Sequence, residues 1–156
     1  MADAQPVTAI AVAGSRAVRG ERPLMRVLAL DYGSARCGCA LSDPTGTIVT
    51  PIETVERPAT KRGLATIRAL VGEREVERVV VGLPLSLSGE DSEQTRETRV
   101  FAAELSRRLG EDVPVELHDE RFTTVLAQRM NGPHTASEDS RAAAHLLESW
   151  LAARPR

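Results

Sequence analysis

From residue 25 onward the chain alternates between short apolar runs and longer stretches of helical periodicity. Residues 26–31 (RVLALD) are an apolar run ended by Tyr32-Gly33-Ser34, the pattern of a buried strand. Residues 37–42 (CGCALS) predict a second strand and residues 47–55 a third, with Asp43-Pro44-Thr45-Gly46 as the turn between them. Tight turns joining three strands imply an antiparallel meander. Leu64, Ile67 and Val71 share one face of a helix predicted over 60–75, and residues 78–83 (RVVVGL) form a strand halted by Pro84. Residues 85–92 (LSLSGEDS) read as a loop, and this loop together with the Gly82-Leu83-Pro84 strand end is expected to be mobile and to border the substrate cleft. A helix over 93–109 sets Phe101, Leu105 and Leu109 opposite Arg96, Arg99 and Arg107. Residues 113–117 alternate as a half-buried strand, 123–130 form a short helix broken by Asn131-Gly132-Pro133, and 137–153 form the last helix.

The order βββαβαβα predicts an α/β domain in which a five-stranded mixed sheet, meander first and then alternating α and β, carries helices on both faces. Five strands in this order are what an RNase H-like domain looks like. Residues 1–24 lack sustained periodicity and contain Pro6, Gly14, Gly20 and Pro23. They are expected to be a disordered extension, with 25–156 as the folded domain.

Composition narrows the class without naming it. A chain of 156 residues that is 42% hydrophobic and 27% charged is globular, and no apolar run reaches the ~20 residues of a membrane helix. Cys37 and Cys39 are too few for a disulfide framework, and free thiols point to a reducing cytoplasm. A net charge of −2 argues against a generic nucleic-acid binder. Yet every basic residue but Lys61 is arginine, whose planar fork suits phosphate oxygens. Codon bias gives the same count, and an arginine stripe opposite an apolar one is usually a solvated face.

Three acidic features stand out. Asp31 ends an otherwise apolar strand, where it either starts a turn or binds a cation. Asp139 falls on the apolar face of the last helix, with Ala142, Ala143, Leu146 and Trp150. Its other reading is a first-turn acid favoured by the helix dipole, although Thr135 or Ser137 already supplies a cap. His118-Asp119-Glu120-Arg121 follows the fifth strand; parity sends Asp119 to the side of Val115 and Leu117 but leaves open which acid points inward. Strand ends and a helix start can bring three carboxylates together. An oxygen-only site suits Mg²⁺ or Mn²⁺ rather than zinc, and two such ions can activate water and stabilise a departing phosphodiester oxygen.

Four stretches in order resemble the YqgF/RuvX family, proteins described as Holliday junction resolvase-like and as pre-16S rRNA nucleases. They are LALDYGSARCGCALSD at 28–43, VVVGLPLSLSG at 79–89, HDERFTT at 118–124 and EDSRAAAHLLESWL at 138–151. The resemblance implies an RNase H-like fold and a metal-dependent nuclease, a hydrolase of ester bonds. Asp31, Asp119, Glu120 and Asp139 would be its catalytic acids, with Asp31, Glu120 and Asp139 as metal ligands. It also implies that Arg36, Arg121 and Thr124 bind substrate, with neutralisation of Asp119 and Glu120 as the other reading of Arg121. The cysteines stand where the family usually has aliphatic residues.

The expected partner is nucleic acid, with no membrane, for a cytoplasmic monomer or homodimer. Maturation of the 5′ end of small-subunit rRNA precursor leads. Cleavage of a branched DNA junction, which would call for a two-fold dimer, and a non-catalytic ribosome-assembly or nucleic-acid-binding module stand as alternatives. One Trp, one Tyr and two Phe are too few for a stacking platform, so phosphate and shape readout is expected. Asp31-x-Gly33 alone suggests nucleotide binding of the sugar-kinase type, but the chain is too short for that two-domain clamp.

Overall fold

In the computed structural model, which describes residues 25–121 and 135–154, five strands lie in the order β3-β2-β1-β4-β5. They are β1 (Val27–Asp31), β2 (Arg36–Ser42), β3 (Val49–Glu56), β4 (Arg78–Leu83) and β5 (Val115–Asp119). The meander pairs antiparallel, whereas β4 joins β1 in parallel and β5 joins β4 in parallel. The intervening helices are α1 (Lys61–Glu73) and α2 (Glu93–Leu109), and α3 (Ala136–Ala153) closes the described chain. This is the mixed sheet the hydrophobic pattern predicts, with the predicted element order. The extension 1–24 and the short helix over 123–130 lie outside the described residues.

Period-two alternation divides the sheet into two cores. Leu28, Leu30, Cys37, Cys39, Leu41, Val79 and Val81 face α1 and α2, where Leu64, Ile67, Phe101 and Leu105 complete a buried cluster. Val27, Ala29, Ala40 and Val80 face α3, against Ala143, Leu146, Leu147 and Trp150. Small residues dominate the second face, so α3 lies close to the sheet. Both cysteines are free and fully buried, packed as small apolar side chains.

Two strands start two residues later than predicted, each for a local reason. The third strand starts at Val49 rather than at 47 because the Asp43 carboxylate accepts the N–H groups of Thr47 and Ile48, each at 2.9 Å. The Thr45 hydroxyl, which donates to the same carboxylate, does most to hold Asp43 ionised, and the backbone bonds add to it, giving a pKa of about 2. The fifth strand runs over Val115–Asp119 rather than 113–117. Pro114 has no N–H to give the ladder and contributes only its carbonyl, which accepts from Val79. Extending the strand to Asp119 brings the acidic tetrapeptide into register with the end of β4, where Leu83 pairs with Asp119.

Helix starts follow the polar sequence. Thr60 caps α1 by accepting from Gly63 N–H. Ser92 and Thr95 form a reciprocal capping box on α2, and Thr135 and Glu138 form another on α3. Asp139 therefore takes no part in the box that caps its helix.

Candidate active site

A row of residues crosses the sheet at the carboxyl end of β1. Asp31 pairs with Gly38 of β2, and one step past the pair Leu30–Val81 it stands beside Gly82 of β4. Gly82 in turn pairs with His118. Residues in register share a face, and this row faces α3. Asp31 is 7% exposed and flanked on both sides by residues without side chains.

Both gaps are filled by the other acids. A Cβ built on Gly38 would lie 2.0 Å from the carbonyl oxygen of Asp139, so the first turn of α3 rests on the strand backbone. A Cβ built on Gly82 would lie 2.8 Å from Cδ of Glu120. Neighbouring strands are about 4.8 Å apart, so Asp139 and Glu120 approach the same face within one strand of Asp31 on either side. The three elements the sequence singles out thus meet at one sheet end. Neither Gly38 nor Gly82 is marked as a point of close approach by the sequence reading, although a glycine inside a buried strand is such a signal and stands in CGC and VGL.

The turn after β5 decides which acid of the pair points inward. Asp119 accepts the Arg121 N–H at 2.9 Å and receives the Arg121 guanidinium through Nε at 2.9 Å. This bonding, led by the Arg121 side chain, holds Asp119 below its ordinary pKa. Its carboxylate stays at the surface, while Glu120 turns back over Gly82 and is fully buried. Burial, reinforced by the Asp119 charge, raises the Glu120 pKa to about 8.

Arginines border the acids on two sides. Arg36, at the start of β2, donates from Nε to Asp139 Oδ2 at 3.0 Å. Arg121 lies against the loop after β4: a Cβ on Gly89 would stand 3.2 Å from one of its guanidinium nitrogens. That loop is tied by its own bonds, Gly89 N–H to the Ser86 carbonyl at 2.8 Å and Glu90 N–H to Ser86 Oγ at 3.2 Å. Thr124 lies outside the described residues. The Arg96/Arg99/Arg107 stripe is engaged locally: Arg99 forks onto Asp91 at 3.0 and 3.2 Å, Arg107 pairs with Glu104, and Arg96 reaches the Asp91 carbonyl. His118 bonds Ser149 at 3.0 Å, and burial lowers its pKa. A groove of about 570 Å³ between α1 and α2 passes Tyr32, Val100 and Phe101, and Asp31, Asp119, Glu120 and Asp139 do not line it.

The donors Asp31, Glu120 and Asp139 are all carboxylate oxygens, which fits Mg²⁺ or Mn²⁺ and not a soft metal. Among the described residues, no group of three or more His, Cys, Asp or Glu is close enough together to hold an ion as the side chains stand. Asp139 is turned to Arg36.

The family model described as RuvX, Holliday junction resolvase, matches residues 25–153. A protein of Maridesulfovibrio salexigens named "Putative pre-16S rRNA nuclease" is 37% identical over 135 residues, covering 82% of this chain and 98% of its own length. An Anaeromyxobacter protein of the same name is 42% identical over 138 residues, covering 83% and 98%. A similarly named protein of Koribacter versatilis is 44% identical over 105 residues, 67% of each chain. Among solved structures, T. thermophilus RuvC in complex with Holliday junction substrate matches with a TM-score of 0.53 at 18% identity, over 83% of this chain and 96% of that one. That likeness establishes the RNase H-like fold.

Proposed function

Because the chain belongs to the RuvX family, we propose that it is a divalent-metal-dependent nuclease that hydrolyses phosphodiesters in structured nucleic acid. Its favoured substrate is 16S rRNA precursor, after the names of relatives matched over 98% of their own length, and we assign the cut to its 5′ end. One observation carries the reading: Asp31 stands between Gly38 and Gly82, and the vacated space is taken by Asp139 and Glu120. At Gly82 a fold that needed only stability would carry an apolar side chain rather than a buried carboxyl group.

Asp31, Glu120 and Asp139 would hold the metal, and Asp119, kept ionised by Arg121, adds negative charge beside them. Bound there, a divalent ion supplies a water acidified for attack and a counter-charge for the phosphate. Arg36 is placed to exchange Asp139 for a non-bridging phosphate oxygen, and Arg121 to hold a second. We assign Thr124 to the same substrate-binding edge from its place in the HDERFTT stretch. No helix among the described residues is long and apolar enough to cross a membrane, and we propose a cytoplasmic protein.

The family description favours a second reading, cleavage of branched DNA. Symmetric cutting of a four-way junction requires a two-fold dimer. Incubating the purified chain with Mg²⁺ or Mn²⁺ and either linear precursor rRNA or a four-way DNA junction separates the two. Cleavage at the precursor 5′ end supports the first reading, paired nicks across the junction support the second, and no cleavage of either contradicts both.

A further inference from the structure

Ser140 follows Asp139 in the first turn of α3 and is 3% exposed. Its Oγ accepts a hydrogen bond from Cys39 N–H at 3.3 Å and donates one to the Ile52 carbonyl at 2.6 Å. Cys39 and Ile52 are partners across the β2–β3 ladder, just past the point where the register shifts between Cys37 and Cys39. The hydroxyl thus stands between an amide and a carbonyl of paired residues, and a turn of helix is spliced into the sheet.

This splice lies next to the contact of the Asp139 carbonyl with Gly38. The two attachments come from consecutive residues of one helical turn, and a helical turn is stiff. Fixing both sets the height of the turn over β2 and the direction in which the Asp139 side chain leaves it. The helix dipole and the Thr135–Glu138 capping box hold the helix end together but do not orient it on the sheet. Metal ligands must lie within a few tenths of an ångström of their positions, and a misplacement of about 1 Å can cost about 100-fold in rate.

We infer that Ser140 is a positioning residue for Asp139: its bridge between Cys39 and Ile52 sets the carboxylate over the β1–β2 strand ends. The inference rests on the nuclease reading for its consequence, but its first readouts do not depend on cleavage.

The test compares the full-length chain with Ser140→Ala, Ser140→Cys and Ser140→Thr. The thiol keeps the volume and bonds poorly, whereas threonine keeps the hydroxyl. Ala142→Gly loosens the same helix without touching the bridge and serves as the control. In Ser140→Ala and Ser140→Cys, the Cys39 amide should exchange faster and Mn²⁺ affinity by calorimetry should fall about tenfold. On precursor rRNA their kcat should fall about 10- to 100-fold with KM within about twofold, while Ser140→Thr stays within about threefold of the unmutated chain. Ala142→Gly should lower Tm yet keep Mn²⁺ affinity and kcat. Should Ser140→Ala not fold, Ser140→Cys carries the same comparison.

Unchanged Mn²⁺ affinity in the folded loss variants, or an equal loss in Ala142→Gly, would overturn the positioning role. An unmutated chain that binds Mn²⁺ but cleaves nothing contradicts the nuclease reading, and the affinity comparison still decides the role of Ser140. An unmutated chain that binds no Mn²⁺ overturns both.

Discussion

The carboxyl group of Glu120 occupies the space above Gly82 that any other residue's Cβ would need, 2.8 Å from Cδ. Gly38 stands in the same relation to the Asp139 carbonyl, at 2.0 Å. The two glycines differ in what they meet, which is the end of a flexible side chain in one case and backbone in the other.

Substitution by alanine should therefore have opposite signatures. In Gly82→Ala the methyl displaces the Glu120 carboxyl, so the Tm should change little while Mn²⁺ binding and cleavage are lost. In Gly38→Ala the methyl meets the first turn of α3, and stability should fall by about 3 kcal/mol or more. Urea unfolding of the two variants, read with a metal titration, checks both. Equal destabilisation would show that Glu120 is as immovable as the backbone.

Glu120 also gives the metal-free protein a pH dependence. Its pKa is raised in the folded state from 4.5 to about 8, so the folded chain binds a proton that the unfolded chain has released. The associated stability is complete below pH 4.5 and is lost as pH rises toward 8, with a slope of at most about 1.4 kcal/mol per pH unit. Glu120→Gln should flatten that slope and be the more stable protein at pH 9 without metal. Unfolding curves from pH 4 to 9 in a chelator measure it; a slope unchanged by the substitution would place the titration elsewhere.

Arg36 is expected to matter for substrate more than for folding. Its ion pair with Asp139 at 3.0 Å is about one-third exposed on the arginine side, and such pairs contribute roughly 0–1 kcal/mol. Arg36→Gln should leave the Tm nearly unchanged and raise KM for nucleic acid severalfold. A fall in kcat at constant KM would instead assign Arg36 to the transition state.

The apolar runs and helical periodicities made the element order legible, because both faces of the central strands are buried and their boundaries are set by Gly, Pro and caps. Boundaries failed where a side chain or a proline decided them, as Asp43 does for β3 and Pro114 for β5. Asp31 and Asp139 were legible as acids on apolar faces. The inward turn of Glu120 was not, because alternation applies only up to Asp119 and a side-chain-to-backbone bond then redirects the chain. Nothing in the sequence marks Ser140, since the bridge it makes joins groups 101 and 88 positions away.

Asp31, in its glycine-flanked row, is proposed to hold a metal, and thermal melts of the full chain and Asp31→Asn with and without Mn²⁺ test this assignment. Neutralising one of three neighbouring acids should leave the metal-free Tm unchanged or higher. Mn²⁺ should raise the Tm of the unmutated protein by mass action and leave the variant almost unmoved, and the variant should not cleave. An Asp31→Asn protein destabilised by about 1–3 kcal/mol without metal, yet showing the full Mn²⁺ response, would contradict the account and make Asp31 a structural hydrogen-bond acceptor.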